Sequence, residues 1–195
     1  MLFRSAIRPD LVSGLVLVDP VLMTNKIKVI FKIGRKHPLF KNFPIIKQGM
    51  MMSEATKKRR RYWKNKEEIF NSYKNKLIFK TWTETTIRNY IDGGTKLIDD
   101  KTRLTCDPLW EAATFSSWKH DAMGLIDKLN CPITLLQAEF NSTARGDGPI
   151  KLMKQDKLGV HKIVKGSTHF LPMEFPDIIK EEINSLQKRI NTEKK

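Results

Sequence analysis

The stretch that decides the fold is Val160–Pro176, VHKIVKGSTHFLPMEFP. It opens with a β-prone run, Lys162-Ile163-Val164, which stops at Gly166. The following helix cannot begin before Pro176, because the fixed φ of proline suits the first turn of a helix. The sequence therefore predicts that His169 lies on a loop at the end of a strand, where an imidazole can act as a general base.

A second segment, Pro9–Pro20 (PDLVSGLVLVDP), predicts a helix end, a turn and a buried strand. The run Leu15–Val18 is apolar on both faces, which is typical of a central parallel strand, and Asp19 follows at its carboxyl end. Only two other stretches are good strand candidates, Ile133–Leu136 and Lys162–Val164. Three strands make a small sheet, so we expect a preceding part of the protein or another chain to cover its edge.

The middle of the chain, residues 24–128, lacks the alternation of strands and helices. Aromatic and aliphatic residues recur there at three- and four-residue spacing, from Arg61-Tyr62-Trp63 onward, which predicts amphipathic helices. The expected breaks between them are His37-Pro38, Phe43-Pro44, Gly93-Gly94 and Asp107-Pro108. An all-helical insertion between two parallel strands is typical of a cap. We therefore expect residues 1–23 and 129–191 to form an α/β core and 24–128 a helical cap.

The last block returns to the α/β pattern. After the strand at Ile133–Leu136 we expect a helix near Ile150–Leu158, then the strand that precedes His169. The closing helix from Pro176 carries one apolar stripe, made of Ile178, Ile179, Ile183, Leu186 and Ile190. Residues 192–195 are expected to form a disordered tail.

The chain of 195 residues is strongly basic, with 36 Lys and Arg against 21 Asp and Glu and a net charge of +15. Such a balance suggests nucleic acid or an anionic membrane as a partner. The one dense cluster is Lys57–Arg61, followed by Tyr62 and Trp63, and we expect it to be a solvated face of a cap helix. No specific nucleic-acid partner is expected, and binding to nucleic acid or a membrane surface is kept as an alternative function.

Cysteine and histidine spacing indicates neither a disulfide framework nor a metal site. Cys106 and Cys131 form no CxxC pair, and His37, His120, His161 and His169 lie far apart in the sequence. No glycine-rich phosphate loop is present, so we expect no cofactor. The absence of a signal peptide and of a transmembrane segment, together with the cysteine usage, favours a cytoplasmic location.

Together, the two opening segments resemble the α/β-hydrolase family. Gly166–Pro176 is similar to the G-x-x-H-F-x-P-x-E-x-P pattern of the loop that carries the histidine in that family. The middle block looks like the cap of one subgroup, in the stretches Arg59–Trp63, Phe79–Trp82, Tyr90–Gly94 and Leu104–Ala112. The resemblance implies an α/β fold, namely the C-terminal portion of an α/β-hydrolase parallel sheet with an inserted helical cap.

The family uses a Ser-acid-His triad, so the resemblance implies hydrolysis of an ester-like bond with His169 as the base. The acid has three candidates. Asp19 stands where some members carry it, Asn141 falls where an aspartate is usual, and Glu139 is a weaker possibility. The structural alternatives are that Asp19 merely forms a turn or cap and that His169 packs against or caps the next helix.

The Gly-x-Ser-x-Gly elbow that carries the nucleophile of this family has no match in the chain. Ser5 and Ser13 lack the flanking glycines, and we expect both to be ordinary surface serines. The resemblance therefore implies an N-terminal truncation that leaves the chain alone inactive. The aromatic cap favours a small substrate with an apolar acyl group or a ring. A non-catalytic, hydrolase-like binding module is the main alternative.

Overall fold

A computed structural model of the chain describes residues 2–22, 29, 33, 44–116, 123–156 and 158–193. It divides into two compact units, which we call the sheet unit (Met1–Val29 and His120–Lys195) and the helical unit (Ile30–Lys119). The helices are α1 (Leu2–Ile7), α2 (Pro44–Lys57), α3 (Lys66–Tyr73), α4 (Glu84–Gly94), α5 (Pro108–Ser116), α6 (Gly148–Met153), α7 (Leu171–Glu174) and α8 (Pro176–Glu193). The strands are β1 (Leu15–Val18), β2 (Tyr62–Trp63), β3 (Thr95–Ile98), β4 (Lys101–Leu104), β5 (Ile133–Ala138) and β6 (Val160–Val164), and three 3₁₀ turns lie at Pro9–Leu11, Leu77–Phe79 and Met123–Lys128.

The sheet unit is built on a parallel sheet with the strand order β1-β5-β6. Its register places Val18 beside Leu136, and Ala138 of β5 beside Val164 of β6. The middle strand is covered on both faces, and Leu135 and Leu136, which point to opposite faces, are both fully buried. This environment explains why the first four residues of β5, Ile133–Leu136, are β-branched residues and leucine rather than an alternation of apolar and polar residues.

Both faces of the sheet carry an apolar core. Leu15 and Leu17 pack with α1, α6 and the turn at Met123–Lys128, whereas Val16 and Val18 face α7 and the first turns of α8. At Gly14, just before β1, α8 approaches so closely that a Cβ would lie 2.7 Å from Ile190 Cδ1 and 3.0 Å from Leu186 Cδ2. Any larger residue at position 14 would therefore force the side chains of Ile190 and Leu186 to shift.

In the helical unit, α2 and α5 pack side by side, and the Ser53 hydroxyl donates to the Ala112 carbonyl at 3.0 Å. The unit also contains an antiparallel sheet with the strand order β2-β4-β3. Asp99 and Asp100 join β3 to β4, and both have a positive φ, 47° and 56°, as a two-residue type I′ hairpin turn requires.

The expectation of a purely helical middle block is therefore wrong. Arg61-Tyr62-Trp63, assigned to an amphipathic helix, contains strand β2, and two further strands follow α4. These strands are only two to four residues long, too short for periodicity to distinguish them from a helix, and Asp-Asp is a weaker hairpin signal than Asn-Gly. The expected breaks at Pro44, Gly94 and Pro108 are confirmed as helix ends. The expected break at His37-Pro38 lies outside the described residues.

The three strands expected for the sheet unit are confirmed, and the closing helix starts at Pro176 as expected. The expectation that no helix begins before Pro176 is wrong, because the short helix α7 (Leu171–Glu174) precedes it. That helix runs to Glu193, so the tail expected from residue 192 begins too early, and residues 194–195 lie outside the described part. The helix expected over Ile150–Leu158 spans Gly148–Met153 instead. It ends early because the Asp156 carboxylate accepts from the Leu158 N–H at 3.0 Å and turns the chain into β6.

Replacement of Leu135 tests the central position of β5. Leu135→Ala is expected to lower the free energy of unfolding by about 2–5 kcal/mol, because it opens a cavity in a closely packed core. The measurement is urea denaturation of the chain followed by circular dichroism. Leu158→Ala, at a leucine that is 66% exposed, is the matched control, and we expect it to change the same quantity by less than about 0.5 kcal/mol. Equal effects of the two changes would contradict this arrangement of the sheet.

Candidate active site

Three segments meet at the carboxyl edge of the parallel sheet. Asp19 follows β1, residues 139–144 follow β5, and His169 lies on the loop after β6. The Asp19 N–H continues the ladder by donating to the Leu136 carbonyl at 2.7 Å. Its φ then becomes positive, 40°, which turns the chain sharply at the end of the strand. The parallel topology thus brings two residues 150 positions apart to the same edge.

The carboxylate of Asp19 and the ring of His169 are hydrogen-bonded, with 2.8 Å between Oδ2 and Nδ1. The Asp19 side chain is completely buried, whereas the His169 side chain is 44% exposed. In the described part of the chain, no group hydrogen-bonds to the second ring nitrogen, Nε2. One nitrogen of the ring is thus held by a carboxylate, and the other is free to exchange a proton with an incoming group.

Neutral donors surround the Asp19 carboxylate. Oδ1 accepts from the Ala138 N–H at 3.0 Å and from the Ser142 hydroxyl at 2.5 Å, and Oδ2 accepts from the Thr143 N–H at 2.9 Å. The Thr143 hydroxyl donates to the Asp19 carbonyl at 2.6 Å and also lies 3.3 Å from Nδ1 of His169. These contacts replace the water that the buried carboxylate has lost.

The same contacts determine the ionisation of Asp19. Burial acts to raise the pKa of this carboxyl, but hydrogen bonds from Ser142, from the amides of Thr143 and Ala138 and from His169 together lower it further than burial raises it. The net result is a pKa below the ordinary value of 3.8. Asp19 is therefore a carboxylate at neutral pH and can stabilise a positive charge on the His169 ring.

The two other candidate acids do not contact the histidine ring. Glu139 accepts a hydrogen bond from the Gly166 N–H at 2.7 Å, so it holds the loop after β6 instead. Asn141 is exposed and has a positive φ of 53°, and none of the hydrogen bonds described for the chain joins it to His169. Asp19 is the one of the three that the fold places against the ring, and its catalytic role stays a prediction.

The loop that carries His169 is held by side chains on both sides of it. The Thr168 N–H and hydroxyl both donate to the Glu174 carboxylate at 2.7 Å, and the Phe170 N–H donates to the Thr168 hydroxyl at 3.2 Å. Ser167 is fully buried, and its hydroxyl donates to the Val164 carbonyl at 2.6 Å. The peptide groups next to the histidine are thus satisfied by these neighbours, and the His169 ring itself does not cap the helix that follows.

Neither serine near the start of the chain approaches this edge in the way a nucleophile must. Ser13 is exposed and precedes β1, whereas Asp19 follows it, so the two lie at opposite ends of the strand, about 20 Å apart at roughly 3.3 Å per residue. Ser5 is buried in α1, which corrects the expectation that it is a surface serine. It is buried because it lies on the face of α1 that carries Leu2 and Ala6 into the core.

The basic cluster Lys57–Arg61 was expected on a helix, but α2 ends at Lys57 and the other residues lead into β2. Four of its five cations form ion pairs, which are Lys57 with Glu54, Arg59 with Glu111, Arg60 with Glu68, and Arg61 with Asp107. The guanidinium of Arg60 also lies over the Trp63 ring, at 5.4 Å. Carboxylates thus neutralise most of the positive charge that a polyanion would need.

The described residues contain no cluster of three or more His, Cys, Asp or Glu side chains that could hold a metal ion. Among the helices of the described residues, none is long and apolar enough to cross a membrane.

Sequence reasoning missed Ser142 and Thr143, whose hydroxyl groups both donate hydrogen bonds to Asp19. A usable signal was present, since Asn141-Ser142-Thr143 follows a buried parallel strand directly and must lie at the same edge as Asp19.

Loss of the Asp19 charge should show in the pH dependence of stability. A carboxyl whose pKa is lowered by folding stabilises the fold above its unfolded pKa, near 3.8, and that contribution is lost as the pH falls through the folded value. Asp19→Asn keeps a residue that tolerates the positive φ but turns an NH₂ group toward hydrogen-bond donors. We expect the variant to have an unfolding free energy about 1–3 kcal/mol lower than that of the unchanged chain at pH 7, and this difference to become smaller toward pH 2.

Urea titrations at pH 7, 4, 3 and 2 measure this difference. Asp10→Asn, at an exposed aspartate paired with Arg8, is the matched control and is expected to have a much smaller effect. An Asp19→Asn protein as stable as the unchanged chain at pH 7, or a gap that does not narrow in acid, would show that the carboxylate is not stabilised as described.

Comparison with known proteins identifies the fold of the chain but matches no protein-family model. No protein-family model and no curated protein matches the sequence. Solved structures do match. E-2-(acetamidomethylene)succinate hydrolase is 13% identical with a TM-score of 0.67, and the match covers 96% of this chain and 62% of that one. A peroxisomal α/β-hydrolase of Saccharomyces cerevisiae is 14% identical with a TM-score of 0.70, covering 98% of this chain and 50% of that one, and an esterase of Mycobacterium tuberculosis is 16% identical with a TM-score of 0.62, covering 96% and 56% of the two chains. The chain thus spans between half and two thirds of the length of these structures. Its architecture, a parallel sheet covered by helices that matches these hydrolases over nearly all of its length, is the α/β-hydrolase fold.

Proposed function

We propose that this chain carries the acid and the general base of a serine hydrolase that cleaves an ester-like bond. The observation that supports this proposal is the 2.8 Å contact between buried Asp19 and the exposed ring of His169 at the carboxyl edge of a parallel sheet. In that role, Nε2 of His169 takes the proton of the serine as it attacks and later gives a proton to the leaving group. Asp19 stabilises the imidazolium that forms in between.

The nucleophile, in this proposal, comes from a strand and elbow that are not part of the sequence in hand. Among the described strands, β1 pairs with β5 alone, and Leu15 and Asp19 direct their N–H groups to that neighbour. Val16 and Val18 therefore present backbone groups at the other edge, where one more parallel strand would fit. We propose that a strand ending in Gly-x-Ser-x-Gly, from a preceding segment or another chain, pairs there and aims its serine at His169. The oxyanion-hole amides would come from the same missing part.

Within this proposal, residues 1–23 and 129–191 belong to the catalytic core and 24–128 form the cap. Four aromatic side chains of the helical unit pack against one another, those of Tyr73, Phe79, Trp82 and Tyr90, with 4.8–6.1 Å between ring centroids. Tyr73 and Trp82 are buried, whereas Tyr90 is exposed. Exposed apolar side chains of this unit include those of Met50–Met52 on α2 and of Leu109 and Trp110 on α5. This surface supports a substrate with an apolar acyl group or a ring.

The decisive experiment is to sequence the source DNA upstream of Met1 and to express the protein with any residues encoded there in frame. We expect those residues to contain a strand followed by Gly-x-Ser-x-Gly. The longer protein should hydrolyse p-nitrophenyl esters, and His169→Ala should reduce kcat/KM by roughly 10³-fold or more, because the general base is lost. The 195-residue chain alone should give no turnover above buffer.

His161→Ala is the matched control, because His161 lies on β6 and its ring contacts Gln137 rather than Asp19. We expect it to retain activity within about threefold, a change of less than about 1 kcal/mol in the barrier. Two results would contradict the proposal. One is an upstream sequence without an elbow, which would favour a non-catalytic binding module; the other is an active longer protein that His169→Ala leaves unchanged.

Acyl-chain length tests the substrate class in the same longer protein. If the substrate carries an apolar acyl group, kcat/KM should rise by about tenfold or more from p-nitrophenyl acetate to the octanoate, because each buried methylene adds binding energy. A variant with Met51→Ser and Trp110→Ser should reduce this preference while leaving acetate turnover unaffected. A preference for acetate in the unchanged protein would exclude an apolar acyl substrate.

A further inference from the structure

The loop after β5, Asn141–Ala144, surrounds a carboxylate instead of supplying one. Its serine binds Oδ1 of Asp19, and its threonine binds both Oδ2 and the Asp19 main-chain carbonyl. Asp19 is completely buried and has a positive φ, so its carboxylate and its backbone both need partners that hold this conformation. Apart from His169, no cation of the described chain forms an ion pair with it. Neutral groups on this loop therefore supply most of the hydrogen bonds that hold the Asp19 carboxylate and its backbone in place.

The hydroxyl of Ser142 has a defined direction. It accepts a hydrogen bond from the Ala144 N–H at 3.1 Å, so its own proton is available for Oδ1 of Asp19 at 2.5 Å. A hydroxyl has one proton to donate, and an ionised carboxylate can only accept. Ser142 therefore fixes one oxygen of Asp19, and with it the plane of the carboxylate.

The hydroxyl of Thr143 has a similar effect on the histidine ring. Its nearest acceptor is the Asp19 carbonyl, at 2.6 Å, so its proton points there and its lone pairs face Nδ1 of His169 at 3.3 Å. Nδ1 thus faces two acceptors, this hydroxyl oxygen and Oδ2 of Asp19. A neutral ring in that position must carry its proton on Nδ1, which leaves the lone pair of Nε2 free to act as a base.

We propose that Ser142 and Thr143 are positioning residues that hold the Asp19 carboxylate in plane and fix the neutral His169 ring as the Nδ1–H tautomer. This proposal rests on the proposed function, in which Asp19 and His169 are the acid–base pair. It assigns the role of binding the acid to the loop after β5, where the resemblance places Asn141 at a position usually held by an aspartate.

The test uses the 195-residue chain labelled with ¹⁵N-histidine and ¹³C-aspartate. Two-bond ¹H–¹⁵N correlation spectra report the tautomer of His169, and the carboxyl carbon of Asp19 reports its titration. In the unchanged chain we expect the Nδ1–H tautomer, the reverse of the preference of a free imidazole. Thr143→Val should lower the ratio of Nδ1–H to Nε2–H by about tenfold, the population change that follows from one lost hydrogen bond, and Thr143→Ser should restore it.

Ser142→Ala gives a second, independent readout. It removes a hydrogen bond that lowers the pKa of Asp19, so the titration of the Asp19 carboxyl carbon should move to higher pH, while Thr192→Val on the exposed face of α8 should change neither signal. If Thr143→Val fails to fold, Ser142→Ala and Thr143→Ser test the positioning role instead, through the His169 tautomer and the Asp19 carboxyl titration.

Spectra in which Ser142→Ala and Thr143→Val alter neither the tautomer nor the titration would overturn the positioning role. The tautomer of His169 and the titration of Asp19 are both recorded without enzyme turnover, so their outcome does not depend on whether the protein hydrolyses esters. A chain that shows the expected tautomer but whose longer form is inactive would contradict the proposed function and leave this role of the loop intact.

Discussion

The interaction on which the rest of the site depends is the binding of a buried carboxylate by neutral donors. Asp19 has lost all contact with water, and its charge is retained only because two peptide N–H groups, a serine hydroxyl and an imidazole replace the solvent. These donors come from two segments of the chain, the end of β5 with the loop that follows it, and the loop after β6. The geometry therefore exists only when the loops after β5 and β6 are both in place, and folding of the sheet unit and formation of the site are one event.

The second constraint is the register of the parallel sheet. Because β5 lies between β1 and β6, the carboxyl ends of all three strands reach the same edge, and the loops that follow them share one small volume. The short α7 and the closing helix cover one face of the sheet, where they pack against Val16 and Val18. The far edge of β1 leaves the backbone groups of these two residues unpaired among the described strands.

The positive charge of the chain is in part paired with acidic side chains on its surface, in ion pairs that do not include Asp19 or His169. A net charge of +15 suggested a polyanion partner, yet the densest basic cluster is engaged with carboxylates of its own unit. Arg88 likewise forms an ion pair with Glu67, and its guanidinium lies 3.8 Å from the centre of the Phe70 ring. The cations of this cluster and Arg88 thus serve as surface partners of acidic and aromatic side chains.

The sequence by itself determined the elements whose signals are local. The apolar runs at Leu15–Val18 and Ile133–Leu136, the proline at the start of α8 and the loop position of His169 follow from composition and backbone chemistry within a few residues. It also narrowed the acid to three residues. Only the tertiary structure shows which of them contacts the His169 ring, because that contact joins Asp19 to a residue 150 positions away in the chain. The short strands of the helical unit and the donors Ser142 and Thr143 were decided there as well, since a two-residue strand has no periodicity, and a hydroxyl acquires a role only from the group that the fold brings against it.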